Sequence, residues 1–250
     1  MSASTLYTAM SGLEAASYRQ ALQANNLANV NTMGFRAQMG ILRSAPVFGP
    51  APDTGQADVV TEDAGYSSAQ GALTRTDSPW NVALSGQGWL VTRSGGDQLI
   101  LTRDGQLHRG PGGLLRDSAG DVVLGANQSP ISLPALKHME IGADGTISGV
   151  PTGQGTQQAQ QFNRLFIAQT PGGHLTRVGD SRFEVPAGAS PLQRANQVRV
   201  KQGYLEGSNV SAIDAMTQLI NDTRSFQITS RLVHNTQSAS QGLDSLISQG

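Results

Sequence analysis

Proline and glycine are distributed so unevenly that they divide the chain before any other signal is read. All 11 prolines fall between Pro46 and Pro191. Glycine is absent between Gly12 and Gly34 and again between Gly207 and Gly242. These are the two residues a helix interior tolerates least, so the quiet stretches at either end can carry long helices, whereas the middle must be short strands and turns.

In the first quiet stretch, Ser2 and Ser4 can cap a helix. Less polar positions then recur every three or four residues: Leu6, Met10, Leu13, Ser17, Gln20, Ala24 and Leu27, widened by Ala9, Ala16 and Ala28. This is a heptad-like seam with a polar centre. About 25 residues at ~1.5 Å each make a rod ~40 Å long. The helix should fail between Asn29 and Gly34.

The second quiet stretch opens with Leu205-Glu206-Gly207-Ser208-Asn209-Val210, and Ser208, Asn209 or Ser211 can cap a helix beginning there. Asp214, three residues after Ser211, resembles the second half of a capping box. A seam then runs through Met216, Leu219, Thr223, Phe226, Ser230, Val233, Gln237, Ser240, Asp244 and Ile247, flanked by Ile213, Ile220, Leu232, Leu243 and Leu246. A helix of nearly ~40 residues would be ~55 Å long. One thin, partly polar seam cannot bury so long a helix on a compact globule, so it needs a partner helix along its length. Residues 1–45 hold Arg19, Arg36 and Arg43 against Glu14, whereas residues 206–250 hold Glu206, Asp214, Asp222 and Asp244 against Arg224 and Arg231. The opposite signs favour pairing the two ends; ordinary solvated faces are the alternative.

Residues 36–75 lack a clear period, and 45–63 are rich in Pro, Gly and Ala, the composition of an extended linker or loop. From Pro79 to Tyr204 the pattern is β. Four hairpins are expected: 99–103 with 106–108 across Asp104-Gly105, 114–116 with 122–124 around Asp117 to Asp121, 138–141 with 146–148 around Asp144-Gly145, and 164–168 with 174–178 around Pro171-Gly172-Gly173. No helix interrupts them, so the domain should be antiparallel. The fold class is α+β: long terminal helices pairing as a coiled-coil-like layer, and a central antiparallel all-β domain. The expected divisions are 1–35 (N-terminal helix), 36–78 (linker or loop), 79–204 (β-domain) and 205–250 (C-terminal helix).

The composition excludes several functions. Charged residues are 14% of the 250, the formal net charge is −1, and only Lys137 and Lys201 are lysines. There is no cationic surplus to neutralise phosphates, so nucleic acid is not an expected partner. The absence of cysteine removes disulfides, thiolate metal sites and cysteine nucleophiles, and fits an oxidising compartment. No run of about 18 apolar residues exists to span a membrane. Residues 1–10 lack a basic region followed by an apolar one, so a cleaved secretory signal is not expected.

Little else promises chemistry. His108, His138, His174 and His234 are not at metal-ligand spacing. There is no Gly-x-Ser-x-Gly elbow and no phosphate loop. The acids of Asp117 to Asp121 lack a calcium loop's alternation and final Glu, and a β-turn explains them better. Trp80 and Trp89 fit core or interface anchors. No cofactor and no enzymatic activity are expected; convergent acids in the β-domain keep a peptidoglycan-active enzyme as the remaining catalytic alternative.

The segments with least chemical promise carry a family likeness. Leu6-Tyr7-Thr8-Ala9-Met10-Ser11-Gly12, then Ala24-Asn25-Asn26-Leu27-Ala28-Asn29-Val30-Asn31-Thr32-Met33-Gly34-Phe35-Arg36, resembles the N-terminal signature of flagellar rod and hook proteins. Leu205 to Val210, Ala215-Met216, Ile220 and Arg224-Ser225-Phe226 resemble the C-terminal signature. Trp80 to Leu84, Gly88-Trp89-Leu90 and Thr102-Arg103-Asp104-Gly105 are similar to its β-domain. Met33 and Asn81 depart from the usual pattern, in which a small residue or Pro and an Asp stand there. Proximal-rod members are resembled more than the distal-rod FlgG.

The resemblance implies a structural subunit of a hollow, helically arranged tube in the periplasm. It leaves unfolded through the flagellar type III export apparatus without a cleaved signal, and it meets its own copies and the rod proteins FlgB, FlgC, FlgG and a FliE-like subunit. The terminal helices would form the inner layer and the β-domain the outer. The assembly interface would then comprise Leu6, Met10, Leu13, Ala24, Leu27, Ile213, Met216, Leu219, Ile220, Phe226, Val233, Leu243 and Ile247. The signature residues are Asn25, Asn26, Leu27, Ala28, Asn29, Gly34, Phe35, Glu206, Ser208, Asn209 and Val210.

Overall fold

The computed structural model describes residues 3–46, 57–152, 158–169, 175–185, 188 and 191–247. The chain divides into two compact units, one of residues 1–28, 38–66 and 211–250, the other of residues 29–37 and 67–210.

The first unit holds two helices and a hairpin: α1 (Ala3–Ala28), β1 (Gln38–Pro46), β2 (Ala57–Tyr66) and α2 (Ala212–Ile247). α1 ends where Asn and β-branched residues accumulate. α2 starts as its capping signal predicts, with the Asp214 N–H donating to Ser211 Oγ at 3.3 Å. The helices lie antiparallel. A Cβ built on Gly12 would meet Thr229 Cγ2 at 4.0 Å, and Arg19 Nε pairs with Asp222 Oδ1 at 3.0 Å. Seven residues on one helix thus oppose seven on the other. The buried positions of α1 are mostly small or polar: Ser11, Ala15, Ala16, Leu22 and Asn26. On α2, Thr217, Thr223 and Thr229 satisfy their hydroxyls on the carbonyls of Ile213, Leu219 and Ser225, four residues back, so these polar positions need no outside partner.

The 36–78 segment, expected as a linker, contains a hairpin instead. β1 and β2 pair antiparallel from Gln38↔Tyr66 to Pro46↔Ala57, with a register shift after Met39. Asn26 anchors it: its Nδ2 donates to Gln38 O at 3.0 Å and its Oδ1 accepts from Gln38 N at 2.8 Å. Gly40 lies against Tyr18 and Leu22 of α1, where a Cβ would come within 2.8 Å of the Tyr18 ring. The Pro/Gly/Ala composition of this part of the sequence obscures the two strands.

The second unit is antiparallel β throughout its described pairs. Its strands are β3 (Leu73–Arg75), β4 (Val82–Ser85), β5 (Trp89–Arg93), β6 (Leu99–Thr102), β7 (His108–Arg109), β8 (Leu115–Arg116), β9 (Val122–Val123), β10 (Glu140–Ile141) and β11 (Thr146–Gly149). Beyond these lie β12 (Gln160–Arg164), β13 (Ile167–Ala168), β14 (Thr176–Arg177), β15 (Arg182–Glu184), β16 (Arg199–Gln202) and β17 (Tyr204–Glu206). The largest sheet runs β14-β15-β6-β5-β9-β8-β7, with β13 also on β5; β10-β11-β12, β16-β4 and β17-β3 are separate. The core gathers Val82, Leu84, Leu90, Val123, Ile131, Ile147, Leu165 and Val200, with Trp80 and Phe162 packed against it.

Two of the four expected hairpins form. Glu140↔Ser148 and Ile141↔Ile147 close over Gly145, whose φ of +85° suits glycine. Arg116↔Val122 closes over Asp117 to Asp121. The other two pairings are replaced. β6 pairs with β5 and β15, and β13 pairs with β5 while β14 pairs with β15. The Pro171 to Gly173 turn, the 47–56 part of the expected linker and the 153–157 part of the Gln/Gly loop lie outside the described residues.

Candidate functional site

Two features of the structure involve the signature residues, one in each unit. In the first, five of the candidate interface residues are exposed. Ile213 is 78% exposed, Ile220 53% and Met216 50%; Met10 and Ala24 are also exposed. Leu13, Leu27, Leu219, Phe226 and Val233 are half-buried, and the side chains of Leu6, Leu243 and Ile247 lie outside the described residues. The contact between the helices therefore runs along the Gly12–Arg19 and Thr229–Asp222 line rather than the apolar seam. Ala215, Asp222 and Thr229 are spaced by sevens. At 100° per residue, Ile213, Met216 and Ile220 lie roughly 150° round α2 from them. The apolar stripe thus faces away from α1.

In the second unit, three separated signature segments meet on one buried carboxylate. Glu206, 1% exposed, closes β17. Its Oε1 pairs with the Arg36 guanidinium at 2.7 Å and accepts the Gly71 N–H at 3.0 Å. Its Oε2 pairs with Arg103 Nη1 at 2.9 Å. Its backbone carbonyl accepts the Gly34 N–H at 2.8 Å. Both arginines are buried as well, and further N–H groups on them go to carbonyls: Arg36 to Ala69, Arg103 to Leu84 and Gly86. Burying three charges is tolerable only with such dense hydrogen bonding. Arg103 also lies 5.9 Å from the Trp89 ring centroid. Arg177 sits 4.7 Å from both the Phe35 and Phe183 rings and donates to the Arg36 carbonyl.

Asn209 extends the junction. Its Oδ1 accepts the Ala37 N–H at 2.7 Å, while its Nδ2 donates to Ala69 O at 2.8 Å and Ser67 O at 3.3 Å. Gly34 has φ +68°, and a Cβ there would lie 2.4 Å from the Arg103 carbonyl carbon. Gly34, Phe35, Glu206 and Asn209 are thus brought together. Asn29 is buried and takes part in the turn after α1, where Thr32 Oγ1 donates to its Oδ1 at 2.9 Å. Ser208 accepts the Val210 N–H. Of the α1 signature residues, Asn26 is buried on β1, Leu27 is half-buried, and Asn25 and Ala28 are exposed.

Neither Arg36 nor Arg103 is among the site residues expected from the sequence. The available signal is their charge. In a chain with 14% charged residues, an arginine inside a motif of Asn, Gly and apolar residues has a buried use.

This geometry joins distant segments through buried ion pairs. The matches to known families fall on the same segments. Residues 6–36 match the flagella basal body rod protein family, residues 83–149 the flagellar hook protein FlgE/F/G D1 domain, and residues 201–246 the flagellar basal body rod FlgEFG protein C-terminal family. These matches define the class, the flagellar rod and hook proteins. The chain is 34% identical over 233 residues to the flagellar basal-body rod protein FlgF of Salmonella typhimurium, covering 91% of this chain and 92% of that one. It is 33% identical over 248 residues to FlgF of Escherichia coli, covering 97% and 98%. With FlgG of Bacillus subtilis the identity is 26% over 262 residues, covering 97% and 98%. The chain thus belongs to the flagellar basal-body rod proteins of the FlgF family and is a structural subunit of that rod.

Proposed function

We propose that this subunit takes a place in the proximal part of the rod and polymerises through its paired terminal helices. Those helices form a coiled-coil-like inner layer of a hollow drive shaft in the periplasm, with the β-domain outside. The shaft transmits torque and conducts exported subunits. The protein itself leaves through the flagellar type III apparatus without a cleaved signal. Its neighbours are its own copies and the rod proteins FlgB, FlgC, FlgG and a FliE-like subunit. Its role is mechanical, and the β-domain works by spacing and contact rather than catalysis.

The observation that carries this reading is the stripe of Ile213, Met216 and Ile220, exposed and turned away from α1. Apolar side chains at this spacing on a helix are a surface for another helix, and each buried one contributes about 1.5–3 kcal/mol. The proximal place rests on the higher identity to proteins named FlgF, 34% and 33%, than to the FlgG protein at 26%.

The test is Ile220→Asp. Because Ile220 is exposed in the single chain, the variant should unfold at the same urea concentration as the parent. Cells carrying it should neither swim nor build rods, since a charge buried at a helix contact costs several kcal/mol. Normal swimming with normal protein levels contradicts the assembly face.

A further inference from the structure

Three carboxylates are buried close together in the β-domain, away from the Glu206 junction. Asp117 and Asp121 open and close the β8–β9 turn, and Asp104 comes just after β6; Asp117 is 2% exposed, and the other two are also buried. Their partners are unequal. Asp121 has the Arg182 guanidinium of β15 on its Oδ2. Asp104 accepts the Ser118 hydroxyl, and the Gln106 N–H at 3.0 Å. Asp117 accepts the Asp121 N–H at 2.9 Å on its Oδ1 and has no guanidinium of its own. Arg116, on the strand entering the turn, donates one guanidinium N–H to the Gly120 carbonyl. The charged groups facing Asp117 are therefore Asp121 from its own hairpin, Asp104 from the loop after β6, and Arg182 from β15.

Three buried negative charges against one paired guanidinium are not a stable set, and the member with the weakest donors is the one to become neutral. We propose that this cluster is a proton-binding site: Asp117 takes one proton from water as its surroundings acidify, and the β8–β9 turn is thereby held more firmly in the domain. One O–H bond forms on the carboxylate and no other bond changes. The ligand is the proton itself, and the consequence is a β-domain that grows more stable in mild acid.

The energetics agree in sign. Burial pushes the Asp117 carboxyl up to about 6, with the Asp121 and Asp104 carboxylates acting in the same direction and the Asp121 N–H and Arg182 opposing it. The folded value lies above the unfolded one, so folding takes up a proton. The stabilisation is complete below about pH 4 and is lost as pH rises through about 6.

Urea unfolding of the full chain between pH 4 and 7, compared with Asp117→Asn, tests this, together with the ¹³C carboxyl titration of Asp117 in the wild-type chain. Over that range the wild-type unfolding constant should rise on the order of 100-fold more than that of Asp117→Asn. The carboxyl resonance should titrate near pH 6. Should Asp117→Asn fail to fold, the wild-type titration decides alone. Parallel unfolding profiles, or a midpoint below about 4.5, overturn the proposal.

Discussion

Glu206 bears two buried ion pairs at once, with Arg36 at 2.7 Å and Arg103 at 2.9 Å. Removing its charge while keeping its shape leaves two guanidiniums in a dry site with a neutral amide between them. Glu206→Gln should therefore cost about 3–5 kcal/mol in urea unfolding of the full chain. A loss under about 1 kcal/mol would mean that water reaches the arginines. The residues of this junction are legible in the sequence as signature positions, but their chemistry is not. Glu206 reads in sequence as part of a helix start, and in the structure it ends a strand. Nothing in the local pattern ties it to Arg103, because their pairing depends on how β17 and the end of β6 are placed by long-range sheet contacts. Asp117 likewise has the local sequence of an ordinary turn residue. The turn is there, but the charges that set the chemistry of Asp117 include Asp104 and Arg182, which are distant in sequence.

At the scale of elements, the fold obeys local signals where local physics decides. α1 ends at Ala28, where the expected 29–34 stop begins, and Ser211 caps the start of α2. The two hairpins that form, over 117–121 and 144–145, are short connections between adjacent strands. The expected 99–108 hairpin fails for a reason visible at Gly105. A Cβ there would sit 1.7 Å from the Val82 carbonyl oxygen, and the Val82 N–H donates back to Gly105 O at 3.0 Å. The Asp-Gly pair serves a close approach of β4 rather than a tight turn between neighbours, while β6 takes β5 and β15 as partners. Gly105→Ala should accordingly lower stability by about 3 kcal/mol, since backbone rather than a flexible side chain must yield. An unchanged unfolding midpoint would show that the approach is looser than described. The β1–β2 hairpin is hidden in the sequence because Gln-Met-Gly-Ile-Leu-Arg-Ser-Ala-Pro carries little period-two contrast.

Across the whole molecule, the heptad-like apolar pattern of the terminal segments has a use that a single chain does not supply. Within the chain, α1 and α2 meet along a line that includes Gly12, Arg19, Asp222 and Thr229, and most of the apolar pattern is left half-buried or exposed. Periodicity identifies the helices and their apolar residues; it cannot say which neighbour each face meets, since an intrachain and an intersubunit contact impose the same spacing. The Ile213–Met216–Ile220 stripe should be covered only in the rod. Because the chain has no cysteine, Ile220→Cys places one thiol on the stripe, and its rate of maleimide labelling can be compared between the free chain and purified basal bodies. Labelling should be fast in the free chain and at least tenfold slower in the basal body, the equivalent of about 1.4 kcal/mol of protection. Equal rates in both would contradict an assembly role for the stripe.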